Sequence, residues 1–281
     1  MAAPIPRIDH TLIGVPDLEA ARGAWERLGF AVTPRGRHIG WGTANYCVMF
    51  PDDYVELLGI VDPTQFVNRL DLFLERRGAG LMGLAWGIDD AAAVHAALAS
   101  AGLAEPPRAL ARLLELPEGD VMPRFELVPL ASGATPALSS FCCRHLTPEL
   151  LRRPEWQEHR NGAVGLEGVT VAVADPDALA AAYSILFGPD ALHATPGRLD
   201  VRVGPHALRF LTPDRLRRRY PQLVPPAELP APLVMTVRVT SLEATGAFLA
   251  GRGIGQWQGA GHRIVVPPDE ATGVVLEFAE G

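Results

Sequence analysis

Residues 8–30, IDHTLIGVPDLEAARGAWERLGF, open on a short apolar run, turn at Pro16-Asp17, and continue with apolar residues at helical spacing until Gly29. Alternating apolar positions predict a strand, Asp17 predicts a helix N-cap, and Gly29 predicts the helix stop. The same plan recurs without a gap in 81–103, LMGLAWGIDDAAAVHAALASAGL, with Asp89-Asp90 at the helix start and Gly102 at its end. A third copy, 166–188, carries Asp175-Pro176-Asp177 and closes on Gly188. A fourth, 233–254, is capped by Ser241 and ends near Gly253. Four copies of one strand–helix unit make the chain a repeat protein at the supersecondary level.

After each helix come β-type apolar segments broken by Gly and Pro, among them 45–50, 54–60, 201–211, 264–267 and 274–278. Each repeat therefore reads as one helix among about four strands, a βαβββ module. The closing glycines lie 73, 86 and 65 residues apart, which suits such modules with loops of unequal length. In the second copy, residues 104–118 mix Leu, Ala, Arg and Pro so evenly that its strands resist placement. The expected class is α+β, with four βαβββ modules paired into two domains of curved mixed sheets. Residues 1–145 form the first domain and 165–281 the second. The polar, Pro-containing segment 146–164 is the expected connector, whereas the Pro-rich stretch 221–232 reads as a loop inside the second domain.

Composition narrows the functional classes. Of 281 residues, 48% are hydrophobic and 20% charged, as in a globular chain with adequate cores. A net charge of −7 repels nucleic acid and anionic lipid, so neither partner is expected. No signal pattern opens the chain and no apolar run approaches the roughly 20 residues of a membrane-spanning helix, so a cytoplasmic protein is expected. Cys47, Cys142 and Cys143 lack zinc spacing and read as reduced core thiols. Nucleotide-binding glycine motifs, a GxSxG elbow and HExxH are all absent from the sequence. The basic run 215–219 reads as a solvated helix face.

The first module carries a more specific signal. Ile8-Asp9-His10, Val15-Pro16-Asp17-Leu18, Leu28-Gly29-Phe30, the stretch 36–45 (GRHIGWGTAN) and Tyr54-Val55-Glu56-Leu57-Leu58 together resemble the glyoxalase-like branch of the vicinal-oxygen-chelate superfamily. The resemblance implies that His10 on the first strand and Glu56 on the last lie side by side on the concave face of a sheet and bind one divalent ion. Imidazole and carboxylate form a mixed N/O set suited to Fe, Mn, Zn or Ni, and few protein ligands leave positions open for a substrate with two neighbouring oxygens. Without the resemblance, a strand histidine reads as a hydrogen-bonded core residue and Glu56 as solvent-facing by alternation.

In the second module Gly83 stands where the first has His10. Alternation along Ser140–His145 puts Phe141, Cys143 and His145 on one face, making His145 the preferred third metal ligand and Cys143 a lower-ranked one that lines the pocket. Equally open is a His145 that caps the turn at Thr147-Pro148. The third module offers Gly168 and Arg209 at the two ligand positions. The fourth offers Val234 and Glu277, so the second domain is expected to complete the structure or shape the cavity. Around the pocket, Thr43 and Asn45 are expected to hold substrate oxygens and Trp41 to wall an apolar substrate. His38 is the candidate general base, although His38, Thr43 and Asn45 also suit an ordinary hairpin loop and Trp41 a core position. His159 in the connector reads as a packing residue.

Two functions follow from the resemblance. One is a metal-dependent lyase, isomerase or dioxygenase acting on a small oxygen-rich or aromatic substrate. The other is a metal-free protein that sequesters a small molecule in the same fold. A homodimer is compatible with either.

Overall fold

The computed structural model describes residues 4–259 and 261–281. The first module is β1 (Arg7–Gly14), α1 (Leu18–Arg27), β2 (Gly36–His38), β3 (Thr43–Met49) and β4 (Tyr54–Ile60). Helix α2 (Leu70–Arg77) leads to the second module, β5 (Gly80–Gly87), α3 (Ala91–Ala99), β6 (Arg108–Leu114), β7 (Arg124–Pro129) and β8 (Ser140–His145). Two single-turn helices, Pro148–Leu150 and Pro154–Trp156, follow. The third module is β9 (Ala163–Ala172), α4 (Ala180–Phe187), β10 (Leu192–Thr195), β11 (Arg198–Val203) and β12 (His206–Leu211). After α5 (Pro213–Arg219), the fourth comprises β13 (Ala231–Val239), α6 (Leu242–Gly251), β14 (Trp257–Gly259), β15 (Arg263–Val266) and β16 (Val275–Glu280).

The four-module α+β plan read from the repeat is thus present, and local chemistry explains its punctuation. Asp17, Asp90 and Ser241 accept from the backbone N–H three residues on, closing the first turns of α1, α3 and α6. Gly29, Gly102, Gly188 and Gly253 all take positive φ where each helix ends, a conformation that costs glycine nothing. In the third copy the turn begins as a single 3₁₀ turn, Asp177–Leu179, before α4.

The modules pair first with second and third with fourth, but the two pairs end differently. In the first pair, β1 runs antiparallel to β5 and β2 antiparallel to β6, so eight strands close into a barrel in the order β1-β4-β3-β2-β6-β7-β8-β5. In the second, β9 and β13 meet at the centre and the sheet stays open, with β10 and β14 at its edges. The closing seam is β2–β6, and β6 lies inside the segment whose pattern resisted assignment. Its register sets His38 opposite Arg112.

One buried hydrophobic cluster runs through both sheets, joining Trp25, Phe30 and Trp86 from the first to Tyr183, Phe210 and Phe278 from the second. Polar straps cross the same junction. Asp53 accepts from His206 Nε2 at 3.0 Å and from the Leu166 N–H at 2.9 Å, while His206 Nδ1 accepts from the Ile8 N–H at 3.1 Å. His159 pins the segment before β9: its Nδ1 accepts from the Ala31 N–H at 3.0 Å and its Nε2–H donates to the Met49 carbonyl at 2.9 Å.

That pair of bonds fixes His159 as a neutral ring, since a proton on Nδ1 would displace the Ala31 N–H. Burial pulls its pKa down to about 4, against a small opposing effect of the Met49 carbonyl. The unfolded chain takes up a proton near pH 6.5 that the folded chain refuses until about pH 4. Stability is therefore fully present above pH 6.5 and is lost as pH falls through that window, by about 3 kcal/mol from this residue. His159→Gln, which keeps a donor and an acceptor but does not titrate, is expected to flatten the urea-unfolding stability profile between those pH values by about that amount.

Candidate active site

The first link is a fault in β1. Its pairing with β5 slips between Ile8, opposite Trp86, and His10, opposite Ala85. A β-bulge at this place removes the strict alternation of faces, so Asp9 and His10 project toward one another. Asp9 Oδ2 lies 2.7 Å from His10 Nδ1 and 2.9 Å from His145 Nε2, and Asp9 Oδ1 is 3.6 Å from Arg152. Burial alone would raise the Asp9 carboxyl. The charge and hydrogen bond of His145 and the bond from His10 outweigh it, holding the group well below the usual carboxylate range.

With Nδ1 committed to Asp9, His10 presents Nε2 to Glu56 Oε2 across 3.5 Å. Tyr54 stacks on the His10 ring at 4.3 Å and Phe141 meets it edge-on at 5.8 Å, so the imidazole is fixed in tilt as well as position. Glu56 faces inward because β4 alternates: Val55 and Leu57 enter the main core, while Tyr54, Glu56 and Leu58 line the barrel cavity. The solvent-facing alternative for Glu56 is thereby excluded, with only 5% of the residue exposed.

Asn45 Nδ2 donates to Glu56 Oε1, which also lies 3.8 Å from His38 Nε2 and 3.9 Å from Arg112 Nη1. Asn45 can adopt this pose because the opposite residue is Gly36, where a Cβ would overlap Asn45 Oδ1. Burial raises the Glu56 carboxyl, but the charges of His10, His38 and Arg112 and the Asn45 bond bring it below its ordinary value. His38 bonds Thr43 Oγ1 through Nδ1 at 2.9 Å. Burial lowers its pKa, with Arg112 adding to the effect and Glu56 opposing it. A neutral ring that donates Nδ1–H to Thr43 leaves Nε2 with a lone pair.

These groups floor a cavity of about 930 Å³ inside the barrel. Trp41, half-buried, packs edge-on against Phe66 at 5.0 Å, and both line the cavity. Cys143 lines it too, and Cys142 faces the main core instead. Of the residues singled out in the sequence, His10, Glu56, His38, Thr43 and Asn45 form one connected cluster. His145 does not touch Glu56. It reaches the cluster through Asp9, packs edge-on against Phe125 at 5.0 Å, and keeps a buried Nδ1 without a partner.

Asp9, Cys143 and His145 place candidate ligand atoms within 4.8 Å of one another, the one such trio among the described residues. Their chemistry suits a support better than a cage. Asp9 Oδ2 is already occupied by two imidazoles, and burial, with Asp9 and Glu56 nearby, drives the Cys143 thiol well above its ordinary value, away from the thiolate a metal needs.

The other modules do not repeat the His10–Glu56 pairing. Register places Phe141 at the Glu56 position of the second module, and a Cβ on Gly83 would overlap the Ser139 carbonyl. At Gly168 a Cβ would overlap the Ala207 carbonyl. In the fourth module Glu277 is fully buried and already held by Arg219 at 3.0 and 3.2 Å, Tyr220 at 3.1 Å and Thr236 at 2.9 Å. Arg219 ends the basic run of α5, so that helix is solvated on one face only.

A closed barrel of two βαβββ modules with a polar floor beside β1 and β4 is the architecture of the vicinal-oxygen-chelate fold. A family profile described as a glyoxalase-like domain matches residues 8–187, and the chain belongs to that family. A search of curated protein sequences gives no match. Among solved structures, the chain is similar to a hypothetical protein from Staphylococcus aureus, at 11% identity and TM-score 0.70, covering 98% of this chain and 99% of that one. It is similar to a mutant 4-hydroxymandelate synthase from Streptomyces coelicolor, at 13% identity and TM-score 0.61, covering 99% and 93%. A fusion of a xylose isomerase-like TIM barrel with a 4-hydroxyphenylpyruvate dioxygenase matches at 14% identity and TM-score 0.60 over all of this chain and 49% of that protein. At such identities the likeness is one of fold.

Asp9 was not evident from the sequence, since alternation sends it to the face opposite His10. Removing it leaves two imidazoles and Arg152 facing a buried void. Asp9→Ala is expected to lower unfolding free energy by about 3 kcal/mol in urea titrations, and His145→Ala, which removes one donor of several, by clearly less.

Proposed function

We propose that this protein is a divalent-metal-dependent glyoxalase-like enzyme, a lyase, isomerase or dioxygenase, acting in the N-terminal barrel on a small substrate with an oxygen-rich head. The observation that carries the reading is His10 Nε2 opposite Glu56 Oε2 at 3.5 Å, with His10 Nδ1 anchored by Asp9. That spacing is too long for a good hydrogen bond, whereas two ligands bound at roughly 2.1 Å to one ion stand roughly 3.0–3.4 Å apart. An imidazole whose second nitrogen is held by a carboxylate is also the usual form of a metal-binding histidine.

Fe, Mn, Zn or Ni bound by His10 and Glu56 would supply Lewis acidity for negative charge that develops on substrate oxygens. The protein's own groups do the rest. Asp9 and Tyr54 hold the His10 ring, and Asn45 orients Glu56. His38, whose pKa burial pulls down, is placed to take a proton at Nε2 and to return it, with Thr43 fixing the ring. Leu58, Phe125 and Phe141 exclude water from this end of the cavity.

One feature favours a second reading, a metal-free binding protein: Asn45 and the nearby Arg112 already compensate the buried Glu56 carboxylate. Elemental analysis of purified protein decides between them. The enzyme reading expects about one ion per chain in wild type and its loss in His10→Ala and Glu56→Ala proteins that still unfold cooperatively. Well-folded wild type that stays metal-free after incubation with each of the four ions would leave the binding-protein reading. His38→Ala is expected to retain the ion and to lower turnover about 10²-fold or more once a substrate is in hand.

A further inference from the structure

The cavity also holds a cation whose charge lies near Glu56 but whose hydrogen-bond donors are mostly unspent. Arg112 sits on β6, opposite His38 across the barrel seam, is 3% exposed, and lines the cavity. A guanidinium carries five N–H donors and stays protonated. Here Nη1 donates to the Cys47 thiol at 3.3 Å, a weak acceptor, and lies 3.9 Å from Glu56 Oε1, beyond hydrogen-bond reach. Nε is buried without a partner, and the Phe125 ring lies 5.6 Å beneath the charge. The second sheet treats its arginines otherwise: Arg209, Arg219 and Arg263 reach a carboxylate at 2.8, 3.0 and 2.9 Å.

We infer that Arg112 is the anion-recognition residue of the barrel cavity and that the substrate class is a small amphipathic organic acid, its carboxylate on Arg112 and its apolar body directed toward the mouth. The inference rests on reading this cavity as the substrate site, and it does not require the metal. A buried cation with unused donors in fork geometry is completed best by a planar two-oxygen anion, which takes two parallel bonds. Depth gives the orientation. Arg112, His10 and Glu56 are buried at the inner end, and Ile39, Phe66 and Leu146 line the same cavity while 51%, 56% and 44% exposed. An apolar body gains by covering such a rim, and an uncharged polyol or a cation would leave Arg112 unmatched.

The test uses phenylacetate and 3-phenylpropionate against their amides, near-isosteres that lack the charge, in calorimetric titrations of full-length protein. Titrations are run after chelator treatment and again with added metal. Both acids are expected to bind about tenfold or more tightly than their amides in the metal-free protein. Arg112→Gln should bring acid and amide to parity, and Arg112→Lys should restore part of the preference. Equal binding of acid and amide by wild type overturns the inference, as does failure of both acids to bind up to about 10 mM. A preference that survives in folded Arg112→Gln also overturns it. Should Arg112→Gln not fold, the wild-type comparison together with Arg112→Lys decides. A preference seen only with metal, and lost in Glu56→Ala, would assign the anion to the ion instead. A metal-free wild type with an intact acid preference would remove the enzyme reading and leave this one standing.

Discussion

A single buried carboxylate, Asp9, holds together the end of the barrel where the polar cluster lies. Asp9 sits where β1 breaks its register, and from there it binds an imidazole of its own strand, an imidazole from the end of β8, and lies near the guanidinium of Arg152. Arg152 in turn caps the carbonyls of Pro51 and Asp52 at the β3–β4 turn. The negative charge thus ties strands from both modules to the segment that follows them. It also fixes which nitrogen His10 offers to the cavity. The cost of burying the charge is offset by two imidazoles on one oxygen and a guanidinium near the other, so its loss would be felt in the fold and in the polar cluster at once.

The two sheets show how one supersecondary plan leads to opposite interiors. In the barrel, closure of β2 on β6 encloses space and leaves Glu56, His38 and Arg112 near one another without direct hydrogen bonds among them. In the open sheet the corresponding acid, Glu277, is saturated by Arg219, Tyr220, Thr236 and Arg263, and Glu167 is shared by Arg209 and Arg263. Carboxylates satisfied by their own neighbours in this way need no ligand. This part of the molecule reads as architecture, and the proposed chemistry is assigned to the barrel.

Much of this was legible in the chain because it rests on periodicity. Strand, cap, helix and closing glycine recur at fixed offsets, and alternation put Cys143 on the face that lines the cavity, whereas the inward Glu56 followed from the resemblance and not from alternation, which left it facing solvent. What escaped notice has physical reasons. Asp9 was hidden by the bulge, which local pattern does not announce. Arg112 lay in a segment where Leu, Ala and Arg gave no clear period, although Leu110, Arg112 and Leu114 do fall on one face of β6. The role of His145 turned on a partner 136 residues away, a distance over which sequence spacing says nothing. Closure of one sheet and not the other depends on edge strands only three or four residues long, too short to carry a pattern.

The crowding at Gly83 has a bearing on ancestry and engineering. Because the Ser139 carbonyl occupies the volume a side chain would need, no point change at 83 can supply a second histidine without first moving the backbone. The lopsided site is therefore held in place sterically, whatever the order of events that produced it. Symmetry between the modules could be approached from the neighbouring strand, where Phe141 already lines the cavity beside His10 and a shorter, oxygen-bearing residue would stand at the position equivalent to Glu56.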